Sequence, residues 1–309
     1  MNQMEKMKAY VRINDIKQDV ELANVPIPDI MADQVLIKVK AFGVGIHDRY
    51  FIPNPIDYPY VIGSEGAGVI KKLGESVIGF EIGDRVIFTT VLQPQGGSWA
   101  EYAVSKYTSL IRMPDEMTFA QGSAVPIAGK TAIESMRELN LNKGDHLFIA
   151  GASGAIGSLV IQLAASKGIH VSASASRGNH KYMESLGADK SIDYKDTDWI
   201  NKIKTWSKGG VDAALAIQPG TGIHSLKVVK EGGKLITVSG DNVMTERNIE
   251  VKQMGHEEET RHKIIQMVSD IVEGKINLII EDEYPFDDAL KALEKTETRH
   301  ARGKSVVIL

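Results

Sequence analysis

A short apolar run, a turn of small residues and a helical pattern follow one another between Leu147 and Leu163. The run Leu147–Ala150 predicts a buried strand, and apolar residues at Ile156, Leu159 and Leu163 recur with helical spacing. Strand, tight turn and helix in this order let a backbone approach a diphosphate closely while helix N–H groups point at it. The segment therefore predicts a dinucleotide site, and a tight turn without a ligand is the alternative.

The predicted phosphate-binding turn consists of seven consecutive small or apolar residues: Gly151, Ala152, Ser153, Gly154, Ala155, Ile156 and Gly157. Gly168 suits the end of the helix that follows, and Ile169–Ala173 predicts the next strand. Together these segments complete a βαβ unit of the expected ~30 residues. This context favours the dinucleotide interpretation over a bare turn.

The segment after the second strand indicates which dinucleotide to expect. NAD-binding units place an Asp or Glu there, ~20 residues after the turn, to hold the ribose 2′-hydroxyl. No acidic residue occurs from Gly151 to Tyr182, and Ser174, Arg177 and Lys181 stand there instead. Hydroxyl and cationic side chains suit a 2′-phosphate, so the sequence predicts NADPH rather than NADH. The alternative is that the two cations only form the solvated start of a helix.

Composition limits the classes of protein to be considered. A chain of 309 residues is expected to form two domains, and its net charge of −4 does not favour nucleic acid or an anionic membrane as partner. The absence of cysteine excludes disulfides, thiolate chemistry and cysteine-based zinc sites. The first residues lack an apolar signal core, and no run approaches the ~20 apolar residues that span a bilayer. We therefore expect a cytoplasmic location.

The organisation of the chain changes after Pro114. Before it, short strands are predicted between Gly, Pro and Asp residues, as in a small barrel-like sheet: Gln34–Val39, Gly66–Lys71, Asp84–Phe88 and Trp99–Val104. After it, Phe119–Leu139 predicts a helix. From residue 144 onward strands alternate with helices, which implies an α/β domain with a parallel sheet. The predicted strands there are Leu147–Ala150, Ile169–Ala173, Lys190–Ile192, Val211–Ile217 and Lys234–Ser239. A helix near 257–273, a turn and helix in Tyr284–Lys295 and a strand at Ser305–Leu309 complete the chain.

Several motifs occur in an order and spacing that resemble one family: residues 60–69 (YVIGSEGAGV), Gly83–Val86, Gly97–Tyr102, Ala152–Gly157, Leu186–Asp189, Gly232–Lys234 and Arg302–Lys304. Together they resemble a medium-chain dehydrogenase/reductase of the zinc-free quinone oxidoreductase (ζ-crystallin-like) branch, nearly from end to end. The resemblance implies a GroES-like β-rich catalytic domain, expected over residues 1–118 and 256–309. It also implies a Rossmann-type doubly wound domain for NADPH over residues 119–255.

The resemblance also implies the absence of a catalytic metal. Zinc-containing members of the superfamily use Cys and His ligands; the first cysteine position falls near Gly45 here, and Ser64 stands at a histidine position. A catalytic zinc requires three protein ligands. The histidines show no such cluster, and three of them are interpreted as solvated or core-edge residues: His47, His180 and His256.

The expected chemistry follows from the missing Lewis acid. Nothing then lowers the pKa of a simple alcohol, whereas quinones and α,β-unsaturated carbonyls accept hydride readily. The protein supplies orientation, exclusion of water and a donor for the oxygen that gains charge. We therefore expect a zinc-independent, NADPH-dependent reductase of small-molecule quinones or enones. The alternatives are an enoyl-thioester reductase and an NADPH-binding stress-response or nucleic-acid-binding protein with little turnover.

Three residues are candidates for catalysis on the basis of the resemblance. Asp48 and Tyr50 match a family loop with the pattern Asn-Pro-x-Asp-x-Tyr, although its Asn and Pro are replaced here by Gly and Ile. Tyr50 is interpreted as a donor to the substrate oxygen or as an ordinary loop tyrosine, and Asp48 as a site residue or a turn residue. Thr131 resembles the family threonine beside the nicotinamide, with helix packing as the alternative.

The remaining candidates concern the cofactor and a second copy of the chain. Tyr194 matches a position that contacts the 2′-phosphate in relatives, or is a surface aromatic. Lys304 either reaches the cofactor or closes its domain. Four candidates end strands at the carboxyl edge of the sheet, where doubly wound folds bind ligands: Ile217, Gln218, Ser239 and Gly240. The alternating segment Asn248–Gln253 predicts an edge strand, and such an edge favours a homodimer.

Overall fold

The computed structural model describes residues 5–255, 260–300 and 302–309. The chain divides into two compact units. The first comprises the chain up to Ile127 with Val268–Glu273 and Ile280–Leu309, and the second comprises Ala128–Met267 with Gly274–Ile279. These bounds differ from the expected ones, which placed the first boundary after residue 118 and the second after residue 255. His256 and residues 257–259 of the expected helix lie outside the described residues.

The strands, numbered in chain order, are β1 (Lys6–Arg12), β2 (Val20–Pro26), β3 (Gln34–Val44), β4 (Tyr60–Val61), β5 (Glu65–Leu73), β6 (Arg85–Thr89), β7 (Tyr102–Lys106), β8 (Ile111–Arg112), β9 (His146–Ala150), β10 (His170–Ser174), β11 (Lys190–Ile192), β12 (Val211–Ala216), β13 (Val229–Thr237), β14 (Glu250–Gln253), β15 (Ile280–Pro285) and β16 (Lys304–Ile308). The helices are α1 (Phe119–Ala124), α2 (Pro126–Leu139), α3 (Ala155–Ser166), α4 (His180–Ser185), α5 (Trp199–Trp206), α6 (Gly222–Leu226), α7 (Arg261–Val272) and α8 (Ala289–Glu297). No helix in the described part of the chain is long and apolar enough to cross a membrane.

The first unit is built on two β-sheets. The larger has the strand order β15-β16-β3-β5-β6-β8, with β7 also paired to β3, and the smaller has the order β2-β1-β4. β16 runs antiparallel to β3, so the last strand of the chain joins the main sheet of this unit. Phe42 stacks on Trp99 with ring centroids 5.0 Å apart, and Tyr10 meets Trp99 edge-on. This aromatic cluster forms the centre of a core that the sheets enclose.

Two features of the first unit differ from the sequence-based expectation. β15 was not predicted, because its acidic residues (IEDEYP) conceal the apolar pattern of a strand; it pairs with β16 at one end of the sheet. The helix expected over Phe119–Leu139 is two helices. Thr118 and Gln121 form a capping box at the start of α1, and α2 begins at Pro126, whose missing N–H suits a first helical position.

The second unit contains a six-stranded parallel sheet in the order β11-β10-β9-β12-β13-β14. The expected doubly wound parallel sheet is therefore confirmed. Neighbouring strands β10 and β12 flank β9, so the strand order reverses there, and ligands of such sheets bind at the carboxyl ends beside this reversal. β13 begins at Val229, earlier than the expected Lys234. The predicted edge strand is β14, which forms one end of the sheet.

Candidate active site

The glycine-containing turn joins β9 to α3 in the second unit. Gly151 has a φ of +83°, a conformation that glycine adopts without strain. Gly154 is the N-cap of α3 and brings no capping side chain to the first-turn N–H groups. Those N–H groups lack partners within the helix, so they can donate to an anion. Ser153, Gly154 and Ala155 are partly exposed, and a ligand can reach them.

Two glycines in this turn allow close packing that a larger residue would prevent. A Cβ atom at Gly157 would lie 2.6 Å from the Cα of Ala152, so α3 could not pack this closely on the turn. A Cβ atom at Gly151 would lie 2.6 Å from Cγ of Gln218. The turn therefore fits a diphosphate, because its backbone is open to a ligand on one side and tightly packed on the other.

The strand ends around the turn bring several predicted residues together. The N–H of Ala152 donates to the carbonyl of Ser174, the last residue of β10, over 3.1 Å. The N–H of Ile217 donates to the carbonyl of Ala150 at the end of β9, also over 3.1 Å. Gln218 packs against Gly151. These contacts gather the turn, Ser174, Ile217 and Gln218 at one edge of the sheet.

Cationic and aromatic side chains follow β10 and β11. Arg177 lies in a single 3₁₀ turn and Lys181 in the first turn of α4, and both are exposed. Tyr194, 48% exposed, follows β11, and the ammonium of Lys195 lies 5.9 Å from its ring centroid. Lys195 was not among the sequence candidates, although its position beside Tyr194 was a signal. These side chains offer donors suited to a phosphate dianion.

A carboxylate links the loops after β12 and β13. Asp241 accepts hydrogen bonds from the N–H of Gly220 over 3.0 Å and of Gly222 over 2.9 Å. Although burial opposes the charged form, these bonds lower the pKa of the Asp241 carboxyl. Ser239 and Gly240 precede it directly, so Asp241 fixes the loop that carries them. No local sequence pattern indicates this role, because the bonded glycines lie on another loop.

The loop after β3, in the first unit, contains a buried carboxylate. Asp48 is 3% exposed and accepts from the N–H of Gly45 over 2.7 Å and from Oγ of Ser64 over 2.8 Å. Burial raises the pKa of the Asp48 carboxyl to about 6, against the opposing effects of the Lys304 ammonium and of these two hydrogen bonds. Of the two interpretations left open by the sequence, this geometry favours the turn residue.

Tyr50 lies on the surface of the same loop. It is 40% exposed, and its N–H donates to the carbonyl of His47 over 2.7 Å. The ammonium of Lys17 lies 5.0 Å from the centroid of its ring. The phenol is thus accessible, whereas Asp48 is enclosed. Burial and then the charge of Arg299 lower the pKa of His47, which favours the neutral imidazole.

Lys304 forms a buried ion pair within the first unit. Its Nζ lies 2.5 Å from Oε1 of Glu65, and the two side chains are 8% and 2% exposed. Oε2 of Glu65 accepts the N–H of Ile127 over 2.7 Å. A Cβ atom at Gly43 would lie 2.6 Å from Glu65 and 2.8 Å from Lys304, so the pair requires glycine there. This arrangement favours the domain-closing interpretation of Lys304.

Thr131 lies within α2 and is 7% exposed. One residue earlier, Lys130 pairs with the fully buried Glu134, Nζ to Oε1 being 3.7 Å. Within residues 5–255, 260–300 and 302–309, no group of three or more metal-binding side chains is close enough to hold an ion. Gly45 and Ser64, which the resemblance places near one zinc-ligand position and at another, both donate hydrogen bonds to Asp48.

Comparison with protein families matches both parts of the chain. The model described as "Alcohol dehydrogenase GroES-like domain" matches residues 31–115, and that described as "Zinc-binding dehydrogenase" matches residues 186–307. The chain is 31% identical to the NADPH-dependent alkenal/one oxidoreductase of Arabidopsis thaliana chloroplasts, over 98% of this chain and 80% of the relative. It is 30% identical to the quinone oxidoreductase of Rattus norvegicus, over 91% of this chain and 90% of the relative.

Solved structures agree with this assignment. The quinone oxidoreductase from Coxiella burnetii superposes with a TM-score of 0.88 at 26% identity, over 99% of this chain and 100% of that chain. The expected combination of a GroES-like and a Rossmann-type domain is thereby confirmed. The chain belongs to the medium-chain dehydrogenase/reductase superfamily, in its zinc-free quinone oxidoreductase branch.

Proposed function

We propose that this protein reduces quinones or α,β-unsaturated carbonyl compounds with NADPH and without a metal. The observation that carries the proposal is the open glycine turn at Gly151–Gly157, followed by exposed Arg177 and Lys181 where NAD-binding units place an acid. Similarity to an alkenal/one oxidoreductase and to a quinone oxidoreductase supports the acceptor class.

The cofactor would be held by residues of the second unit. The first-turn N–H groups of α3 would bind the diphosphate, and Ser174, Arg177, Lys181 and Tyr194 would bind the 2′-phosphate. Four further residues would flank the nicotinamide riboside: Ile217, Gln218, Ser239 and Gly240. When bound, NADPH supplies the hydride, and the acceptor takes up one proton from the protein or from water.

Tyr50 is the proposed donor to the acceptor. Its exposed phenol can hydrogen-bond the oxygen on which negative charge develops, and nearby Lys17 favours that charge. Asp48 would hold the loop in place through Gly45 and Ser64 rather than touch the acceptor. Thr131 is proposed to lie beside the nicotinamide, and Lys304 to act through Glu65.

Steady-state assays test this function directly. We expect NADPH oxidation, followed at 340 nm, with 1,2-naphthoquinone or with a 2-alkenal, and a kcat about 10²-fold lower in Tyr50→Phe, the lower end of proton-transfer contributions. Tyr107→Phe, in a partly buried 3₁₀ turn of the first unit, is the control and should retain activity. Tight NADPH binding without turnover of either acceptor would favour the stress-response alternative instead. Preference for an enoyl thioester over both acceptors would favour the enoyl-thioester reductase alternative.

We also infer a homodimer and a cytoplasmic location. β14 pairs with β13 on one side only among the described strands, and its exposed residues leave the other edge accessible to a second copy. Light scattering at micromolar concentration is expected to give twice the chain mass, and a monomeric mass would contradict the dimer. Cell fractionation tests the location, and recovery in the membrane fraction would contradict it.

A further inference from the structure

A cavity of about 260 Å³ opens beside Tyr50 in the first unit. Its lining residues come from three segments of the chain: Gln18, Ile46, His47, Arg49, Tyr50, Glu297 and Arg299. Since one water takes up about 30 Å³ of liquid, the cavity has room for a small charged group on a short linker. It has no role in the cofactor site described above.

The charges around the cavity do not cancel. Arg49 is neutralised by Glu297, because Nε and Nη2 of the guanidinium lie 3.1 Å and 3.2 Å from the two carboxylate oxygens. No carboxylate of the described residues pairs with Arg299 or with Lys17. Arg299 therefore lines the cavity as a cation without a carboxylate partner among the described residues, and the ammonium of Lys17 lies 5.0 Å from the ring centroid of Tyr50.

The carboxylates of Asp15, Asp19 and Asp48 lie outside the lining of the cavity. Asp15 accepts from the hydroxyl of Tyr58 over 2.7 Å, and Asp19 accepts from the amide of Asn14 over 2.8 Å. Asp48 is enclosed in its own turn. Two cations act on this loop: Arg299, whose charge acts on His47, and Lys17, whose ammonium lies over the ring of Tyr50.

We propose that this cavity binds an oxyanion of the acceptor, a carboxylate or a phosphate, so that the protein prefers negatively charged enones to neutral ones. Arg299 and Lys17 supply the charge, Gln18 and His47 supply neutral donors, and Ile46 forms an apolar wall. The inference rests on the proposed function, because it takes Tyr50 to face the acceptor. The inference adds to the proposed function that the acceptor has a negatively charged group besides its reactive one.

Three enones with one reactive group test the preference. They are 4-(3-oxobut-1-enyl)benzoate, its phosphonate counterpart and the neutral methyl ester of the benzoate. We expect a higher kcat/KM for at least one anion than for the ester. The anion with the larger increase in kcat/KM shows whether the cavity prefers a carboxylate or a phosphate group. In Arg299→Gln and in Lys17→Gln, the anion-to-ester ratio should fall about tenfold, the scale of one charge-assisted hydrogen bond. Added salt should lower the wild-type ratio.

Matched variants separate this effect from general damage. Lys72→Gln removes an exposed lysine from β5 of the same unit and should leave the ratio unchanged. Arg299→Glu should lower the ratio further than Arg299→Gln, because it repels the anion. Arg299 is an exposed residue, so these variants are expected to fold, and thermal unfolding checks this.

The outcomes distinguish the inference from the function on which it rests. If the enzyme reduces the three enones but Arg299→Gln leaves the ratio unchanged, the inference is wrong and the proposed function stands. If no enone is reduced, the proposed function is wrong. Calorimetric binding of the benzoate and of the phosphonate then tests whether the cavity binds an oxyanion. Binding weakened about tenfold by Arg299→Gln would support an oxyanion site. Equal binding, or none, would overturn it.

Discussion

Replacing Lys304 by methionine tests whether this lysine closes the first unit or reaches the cofactor. The substitution keeps the aliphatic length but leaves the Glu65 carboxylate charged and buried, since Lys304 is the cation 2.5 Å from it. Both side chains are less than one tenth exposed, so solvent screens the pair little. Removing one partner of a buried ion pair costs about 3–5 kcal/mol of unfolding free energy. At about 2–4 °C per kcal/mol, the melting temperature should fall by roughly 6–20 °C.

A second substitution shows that the loss comes from the unpaired carboxylate. Glu65→Gln in the Lys304→Met background removes the buried charge and keeps an oxygen that can accept the N–H of Ile127. The double variant should therefore recover part of the stability, leaving a cost of about 1–3 kcal/mol for one unsatisfied amide. Urea unfolding and NADPH affinity, measured by fluorescence, are compared for all variants. Unchanged stability with an NADPH affinity lowered more than tenfold would refute the structural role and assign Lys304 to the cofactor.

The other predictions concern the coenzyme, the turn and the buried acid. Alanine at Arg177 and Lys181 should weaken NADPH binding by about tenfold for each lost charge-assisted bond and leave NADH nearly unchanged; equal losses in titrations of both would mean that these residues do not contact the 2′-phosphate. Gly157→Ala should weaken NADPH binding and destabilise the protein by about 1–3 kcal/mol, because its Cβ would meet Ala152 at 2.6 Å, whereas the control Gly255→Ala meets no atom within 4 Å. The raised pKa of Asp48 means that its charge opposes folding above pH about 6 and not below its usual 3.8. The stability of Asp48→Asn relative to wild type, from urea unfolding, should therefore rise between these pH values and then stay level; a pH-independent difference would contradict this reasoning.

The parts of the fold that could be predicted are those encoded within a few neighbouring residues. The βαβ unit around Gly151–Gly157 is such a case, because its strand and helix differ in hydrophobic period and meet at glycines. β15 was missed because an edge strand tolerates the acids that mask its pattern. The division of the 119–139 helix coincides with Pro126, a single residue that a search for long periodic segments overlooks.

The candidate site was less accessible to prediction because its contacts join distant parts of the chain. Ser64 lies 16 residues from Asp48, and Lys304 pairs with Glu65 from the opposite end of the sequence. A motif search identifies Asp48 and Lys304 but not their partners, so it leaves open whether they bind a ligand or the protein itself. The role of Asp241 was equally hidden, since its hydrogen bonds come from the N–H groups of Gly220 and Gly222 on another loop.

Asp48 also shows how one buried side chain holds the loop that contains Tyr50. Its two oxygens accept hydrogen bonds from Gly45 and Ser64, which the resemblance places near one cysteine and at one histidine ligand position of the zinc-containing members. A buried carboxylate needs such partners, because without them the cost of removing its charge from water would exceed what the loop can offset. The two hydrogen bonds and the Lys304 ammonium meet that need from within the protein. The loop is thereby held in place by its own side chains, and Tyr50, two residues further on, remains exposed, as its proposed role requires.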